Sequence, residues 1–156
     1  MKLQSWMSRR ALAWGLGFAG VLAAGIAAAQ QAMPRAELGA GMFRIEAEVA
    51  HTFQNRQIGL MNRRTMPQHQ GMVFVFPEDA RHCMWMKNTY LPLSVAFLDA
   101  HGKVINIEDM QPQTEDNHCA AAPARFALEM NLGWFRERGI KPGDALRGVE
   151  RLPAAR

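Results

Sequence analysis

A chain of 156 residues with 18 lysines and arginines, 14 aspartates and glutamates and two cysteines is long enough for one domain with a real core and too short for two. Three of the cations, Lys2, Arg9 and Arg10, stand at the N-terminal end, which leaves 15 against 14 and a charge near +1 for the remainder. With no basic patch carrying interleaved aromatics, that balance argues against nucleic acid as a partner.

The first segment has the layout of an export signal. A basic, acid-free stretch from Met1 to Arg10 precedes an uncharged run rich in Ala, Gly, Leu and Val, closed by Ala27-Ala28-Ala29. Small residues at that spacing are what a signal peptidase cuts, so residues 1–29 read as a signal peptide cleaved before Gln30. The alternative is an uncleaved anchor, the only contact with a membrane that the sequence offers. Arg9-Arg10 also hints at twin-arginine export. Either route places the domain in the periplasm or outside the cell, where Cys83 and Cys119 meet an oxidising environment and tend to pair.

Residues 30–42 contain Ala, Gly and Pro without periodicity and read as a flexible lead-in. The domain proper spans residues 43–149. Phe43 to Val49 alternates apolar and charged residues, a half-buried strand, and Thr52 can cap a short helix running to about Met61. Met72-Val73-Phe74-Val75-Phe76 is continuously apolar, the pattern of a strand covered on both faces. Cys83 to Met86 reads as another strand. Leu93 to Leu98 follows, with Pro92 at its start where no ladder donor is needed. Asp99-Ala100-His101-Gly102 is a hairpin turn leading to a strand with Ile105 and Ile107 on one face. Residues 111–124 form a long polar loop, a kind that tends to be functional or mobile. Phe126, Leu128 and Met130 point inward on the next strand, with Glu129 outward, and Asn131 caps a helix from Leu132 to Arg138. Lys141-Pro142-Gly143-Asp144 is a type II turn before a short last strand, and residues 150–156 are a disordered tail. Six or seven strands with two helices, hairpin-connected for the most part, define a strand-rich α+β domain whose mixed or antiparallel sheet curls into a barrel or half-barrel.

Several chemistries are excluded. Gly15, Gly17 and Gly20 match the spacing of a dinucleotide-binding loop, but they lie inside the apolar leader with no strand before them. Ser94, the one serine after the leader, lies within an apolar strand and not on an exposed elbow, so it reads as a structural hydroxyl. Cys83 and Cys119 each follow a histidine, yet strand neighbours point to opposite faces and do not make a catalytic pair.

Gly59-Leu60-Met61, Gly71-Met72-Val73-Phe74, Trp85-Met86-Lys87-Asn88-Thr89 with Pro92-Leu93, Leu128-Glu129-Met130-Asn131 with Gly133-Trp134, and Gly139 to Asp144 together resemble the DUF192 family, a bacterial domain of unknown function. The likeness runs from about Phe43 to Gly148. It implies a compact, strand-rich α+β domain, often secreted or lipid-anchored, and brings no established reaction. Ser94 departs from the family's usual Pro-Leu-Asp. Cys83-Met84 displaces the aromatic that usually precedes the Trp-Met pair.

Two functional expectations follow. In the first, Trp85, Lys87, Asn88, Thr89, Glu129 and Asn131 line one recess of a non-catalytic binding module for a small polar ligand or a peptide, without a cofactor. In the second, His82, Cys83, Met84, Met86, His118 and Cys119 hold a soft metal, copper above all, since thiolate and thioether ligands favour Cu(I). A disulfide competes with that site for the same thiols, and nine methionines after the leader are more often core filler than ligands. A hydrolase using Glu129 with His118 or Asp109 ranks below both, because no oxyanion donor set is visible.

Overall fold

The structure is a computed structural model that describes residues 33–156, so the expected signal peptide and its cleavage site lie outside the described residues. In chain order the elements are β1 (Arg35–Ala40), β2 (Phe43–Ala50), α1 (Phe53–Ile58), β3 (Gln70–Ala80), β4 (Cys83–Met84), β5 (Leu93–Leu98), β6 (Val104–Met110), β7 (His118–Cys119), β8 (Ala124–Asn131), α2 (Trp134–Glu137) and β9 (Leu146–Arg147). Seven strands form one mixed sheet in the order β6-β5-β8-β3-β2-β1-β9, and β4 pairs with β7 in a separate two-stranded ribbon. Only β1–β2 and β5–β6 are consecutive antiparallel neighbours in the main sheet. β2 and β3 run parallel, with α1 in the crossover between them. The connections are therefore less hairpin-like than the strand count implies.

The middle of the sheet is apolar on both sides. Val73 and Val75 of β3, Ala96 and Leu98 of β5, and Phe126, Leu128 and Met130 of β8 face one core, while Met72, Phe74 and Phe76, Leu93, Val95 and Phe97, and Ala127 face a second. The first core is wrapped by the curl of the sheet and by Trp134, Phe135 and Ile140 from α2 and the turn after it. The curl nearly closes. Lys103 bridges to Ala145, and the Val104 N–H donates to the Asp144 carbonyl at 2.8 Å, so the start of β6 meets the chain just before β9.

The second core has no helix long enough to cover it. Leu60, Met86, Leu91 and Ala120 close it instead, all from irregular segments. Backbone hydrogen bonds join these segments: Asn62 to the Asn88 carbonyl (2.9 Å), Met86 to Thr114 (3.0 Å), Gln113 to Thr89 (3.1 Å) and Ala120 to His82 (2.9 Å). The polar loop after β6 is thus an ordered cover, fastened by the Cys83–Cys119 disulfide across the β4–β7 ribbon.

Several expectations are corrected. The lead-in is not flexible throughout, because residues 35–40 are β1, with Leu38 and Ala40 buried and partners on both sides. The tail is ordered too. Val149–Arg151 is a 3₁₀ turn, Leu152 and Ala155 pack on the first core, and Arg156 exchanges backbone hydrogen bonds with His51 (2.8 Å) and Phe53 (2.9 Å). The strand at Cys83 ends at Met84. Ile105 and Ile107 do not share a face: a bulge opposite Phe97 and Leu98 turns Ile105 toward the second core and leaves Ile107 on the first. Thr52 does cap α1, its Oγ1 accepting from the Asn55 N–H at 3.1 Å. Asn131 caps nothing, because the residue before α2 is Gly133 in the left-handed region at φ 78°.

Removing the disulfide is expected to cost up to about 4 kcal/mol, given a sequence separation of 36. The Cys83→Ala/Cys119→Ala protein should still fold, with its melting temperature lowered. Hydrogen exchange should accelerate first at residues 111–121, the segment the bond fastens.

Candidate functional site

Glu129 is the one polar side chain in an otherwise apolar stripe. Its strand neighbours across the sheet are Met72 and Val95, both fully buried, and Glu129 itself is 3% exposed. The period-two alternation of β8 puts it on the same face as Ala127, toward the second core, so the outward side expected for it is itself covered. Gly71 permits close strand contact there, since a Cβ on it would lie 2.5 Å from the Glu129 carbonyl oxygen.

Burial without a compensating charge pushes the Glu129 carboxyl up to about 8, with desolvation the sole cause. At neutral pH the group is protonated. No side-chain oxygen or nitrogen that is fully enclosed lacks a partner among the described residues, so this carboxyl finds its opening in the slot above it. The slot holds about 20 Å³ and is lined by Arg56, Gln57, Ile58, Gly59, Leu60, Met61, Phe74, Met84, Trp85, Thr89 and Glu129. That space suits a single group of roughly water size.

One wall is the end of α1. Gly59, at φ 49°, donates to the Asn55 carbonyl at 2.8 Å and lies against the Phe74 ring. Arg56 is pinned at the rim, one of its guanidinium nitrogens donating to the carbonyls of His51 (2.7 Å) and Val75 (3.1 Å). The opposite wall is the turn after β4. Buried Thr89 donates its hydroxyl to the Lys87 carbonyl at 3.2 Å, leaving its oxygen free to accept. Trp85 stands half exposed at the mouth, with Lys87 Nζ 5.3 Å from its ring centroid and 3.7 Å from Glu115.

The expected recess is thus assembled in part. Trp85, Thr89 and Glu129 line one slot, and Lys87 flanks it. Asn88 is exposed, in the left-handed region at φ 54°, where its carbonyl ties the turn to Asn62. Asn131 is diverted elsewhere, its amide donating to the carbonyls of Met66 (3.1 Å) and Pro67 (3.4 Å). Sequence reasoning missed Arg56 and the Gly59–Met61 wall. The Gly-Leu-Met run was visible, but nothing in its periodicity placed it opposite Trp85.

Four of the six residues of the metal alternative, Cys83, Met84, His118 and Cys119, share the β4–β7 ribbon, but they form no ligand set. Cys83 and Cys119 are joined to each other, Met86 is buried in the second core, and His82 stacks on Phe76 at 3.7 Å with a ring nitrogen 3.0 Å from the Glu78 carbonyl. His118 lies opposite Met84 in the ribbon. Among the described residues no three His, Cys, Asp or Glu side chains gather as metal ligands. Asp109 is on the other face of the sheet from Glu129, because its row partner Ser94 neighbours Met130, so those two carboxyls share no site.

A larger cleft of about 460 Å³ lies between β6 and α2, lined by Ser94, Ile107, Asp109, Phe135, Arg136, Gly139, Ile140, Lys141 and Pro142. Its polar groups are already matched. Ser94 donates to Asp109 (2.5 Å) and accepts from the Gly133 N–H (2.8 Å), Arg136 pairs with Asp109 (2.9 Å), and Lys141 pairs with Asp144 (3.1 Å). The Ser94 hydrogen bond and the Arg136 pair hold the Asp109 carboxyl below its usual range. A hollow of about 510 Å³ bordered by Glu37, Arg147 and Arg151 is larger still, so size singles out neither, and the Glu129 carboxyl, without a hydrogen-bond partner among the described residues, is the better mark of a ligand site.

The profile of the DUF192 family, described as "Uncharacterized ACR", matches residues 36–148, and the chain belongs to that family. The match begins within β1, which agrees with that strand being part of the domain. Two solved structures are similar. One is a Sinorhizobium meliloti 1021 protein described as a candidate transcription regulator, with 36% identity and a TM-score of 0.69, covering 74% of this chain and 92% of that one. The other is a protein of unknown function from Novosphingobium aromaticivorans DSM 12444, with 29% identity and a TM-score of 0.72, covering 76% and 89%. Among curated proteins no match is found.

The raised pKa of Glu129 fixes the sign of a stability effect. The folded protein holds a proton that the unfolded chain releases near pH 4.5, so stability attributable to this group falls as pH rises toward about 8 and is flat above. Over that window the loss is on the order of 5 kcal/mol. Glu129→Gln should therefore melt at a higher temperature than the parent at pH 8, with the difference closing by pH 5.

Proposed function

We propose that this DUF192 domain is an exported, non-catalytic binding module that takes a small polar ligand, or one side chain of a peptide, in the slot above Glu129. The observation that carries the reading is a buried carboxyl with no ion pair or hydrogen bond among the described residues, open to a slot beside a half-exposed tryptophan. Such a group costs stability and is retained where a ligand completes it. Binding without turnover is favoured because neither His118 nor Asp109 joins the slot. The near-neutral charge after the leader favours a small molecule or a peptide over nucleic acid, and no cofactor is needed for this role. A disulfide across the cover suits a periplasmic or secreted protein.

Two measurements test the reading. Amide shifts in nuclear magnetic resonance, followed while acetamide, ethylene glycol, n-butylammonium and acetate are added in turn, should move for at least one compound at Gly59, Thr89 and Glu129 together. Shifts confined to the Ser94–Lys141 cleft, or absent, would sink the slot as the site. For the location, the intact mass of protein recovered from the export compartment should begin at Gln30 and be two hydrogens light; a full-length mass with both thiols free would overturn it.

A further inference from the structure

We propose that the free edge of β6 takes an extended peptide as an added strand of the main sheet, one that sets a β-branched residue beside a basic one. The cleft of about 460 Å³ next to that edge is on the opposite face of the sheet from Glu129, so this site does not depend on the slot.

The main sheet ends in β6 on one side and β9 on the other, and β9 has only two residues against seven in β6. Which backbone groups of β6 face outward follows from alternation. The Pro92 carbonyl accepts from Leu132 on the β8 side at 3.0 Å, so Leu93, Val95 and Phe97 turn their backbone groups toward β6. Their partners Met110, Glu108 and Asn106 are thereby matched, and Ile107 and Asp109 aim N–H and C=O away from the sheet. Among the described residues no loop or turn backbone reaches those groups.

The chain itself begins this pairing and then abandons it. Val104 donates to the Asp144 carbonyl and accepts from the Gly143 N–H, each at 2.8 Å, and Lys103 bridges to Ala145 in antiparallel sense. The Lys141–Asp144 turn carries the chain away from β6 beyond that point, and Pro142 has no N–H to give. What is left along Ile107 and Asp109 is a donor and an acceptor repeated at roughly 7 Å, the pattern that a second extended polypeptide matches.

The side chains on either face select the residues. On the cleft side Ile107, Phe135 and Ile140 present apolar surface to a residue opposite Ile107, a place for Val or Ile, which also favour strands. Glu108, on the other face, stands between the two open residues. Its carboxylate accepts from the Asn106 amide at 3.1 Å and has no cation in ion-pair reach among the described residues. A lysine or arginine opposite it would complete a cross-strand pair. The charges of the cleft itself ask for no partner, because Asp109 is matched by Arg136 and Asp144 by Lys141.

The test follows amide shifts and hydrogen exchange of the isotope-labelled protein with the capped peptide acetyl-Thr-Thr-Lys-Val-Thr-amide. Laid antiparallel, it sets Val opposite Ile107, Lys opposite Glu108 and Thr opposite Asp109. Without peptide, the amides of Ile107 and Asp109 should exchange far faster than those of Asn106, Glu108 and Met110. At saturation both should gain about tenfold protection, with shifts gathered at Ile107, Asp109 and Ile140. N-methylation at the peptide Val should weaken binding about tenfold, and at the peptide Lys hardly at all. Exchanging the peptide Lys for Glu should weaken it about threefold, a difference that Glu108→Gln should erase. No shift at about 5 mM peptide, or equal binding of the two N-methylated forms, would overturn the proposal. Shifts confined to Gly59, Thr89 and Glu129 would overturn it in favour of the slot. Protection of Ile107 and Asp109 that rises with protein concentration alone would overturn it in favour of a second copy of this chain.

Discussion

Three adjacent strands that are apolar on both faces impose the constraint on which this fold depends. β3, β5 and β8 cannot leave either side to water, so the domain needs two covers and a chain of this length has few helices to make them. One cover comes from the sheet itself, curling until the start of β6 meets the chain before β9. The other is built from turns. Turns carry unpaired backbone groups, and here those groups are matched mutually, Asn62 with Asn88, Met86 with Thr114, Gln113 with Thr89. The disulfide holds the outermost of these layers down. Because the second cover is irregular, it does not seal evenly, and the gap it leaves falls over Glu129.

Much of the fold was legible because its signals are local. The continuous apolar run Met72–Phe76 is a doubly covered strand, the Asp99–Gly102 turn closes as a hairpin, and Lys141–Asp144 closes with Asp144 N–H donating to the Lys141 carbonyl at 3.1 Å. The failures share a different cause. Residues 35–40 are Ala- and Gly-rich, with little β propensity of their own, and become a strand because β2 and β9 flank them. The tail is ordered by contacts with His51 and Phe53, about a hundred positions away in sequence. Asn131 has the chemistry of a helix cap, but the carbonyls of Met66 and Pro67 reached it, and Ser94 met the Gly133 N–H instead.

The same division applies to the candidate site. Trp85 and Thr89 are four positions apart on one turn, so their joint placement follows from local sequence. Glu129 joined them only because β8 lies between β3 and β5, a long-range pairing that no periodicity encodes. Three of the stretches that carry the likeness to the family, Gly59–Met61, Trp85–Thr89 and Leu128–Asn131, come together around that carboxyl. Their meeting in space was not readable from their order.

The position of β1 between β2 and β9 also governs the order in which the molecule can be completed. A ribosome delivers β1 and β2 early, and the two can zip into a hairpin at once, but the outer edge of β1 has no partner until Leu146 and Arg147 arrive. For that interval the young chain displays a bare strand edge, the feature through which unfinished proteins join each other wrongly. Arg35 and Glu37, both exposed along β1, put charge on that strand, so a stray copy would have to strip water from ions to dock there. Those two charges, set among the Ala and Gly that made the segment read as a linker, keep the edge solitary until its proper neighbour is made.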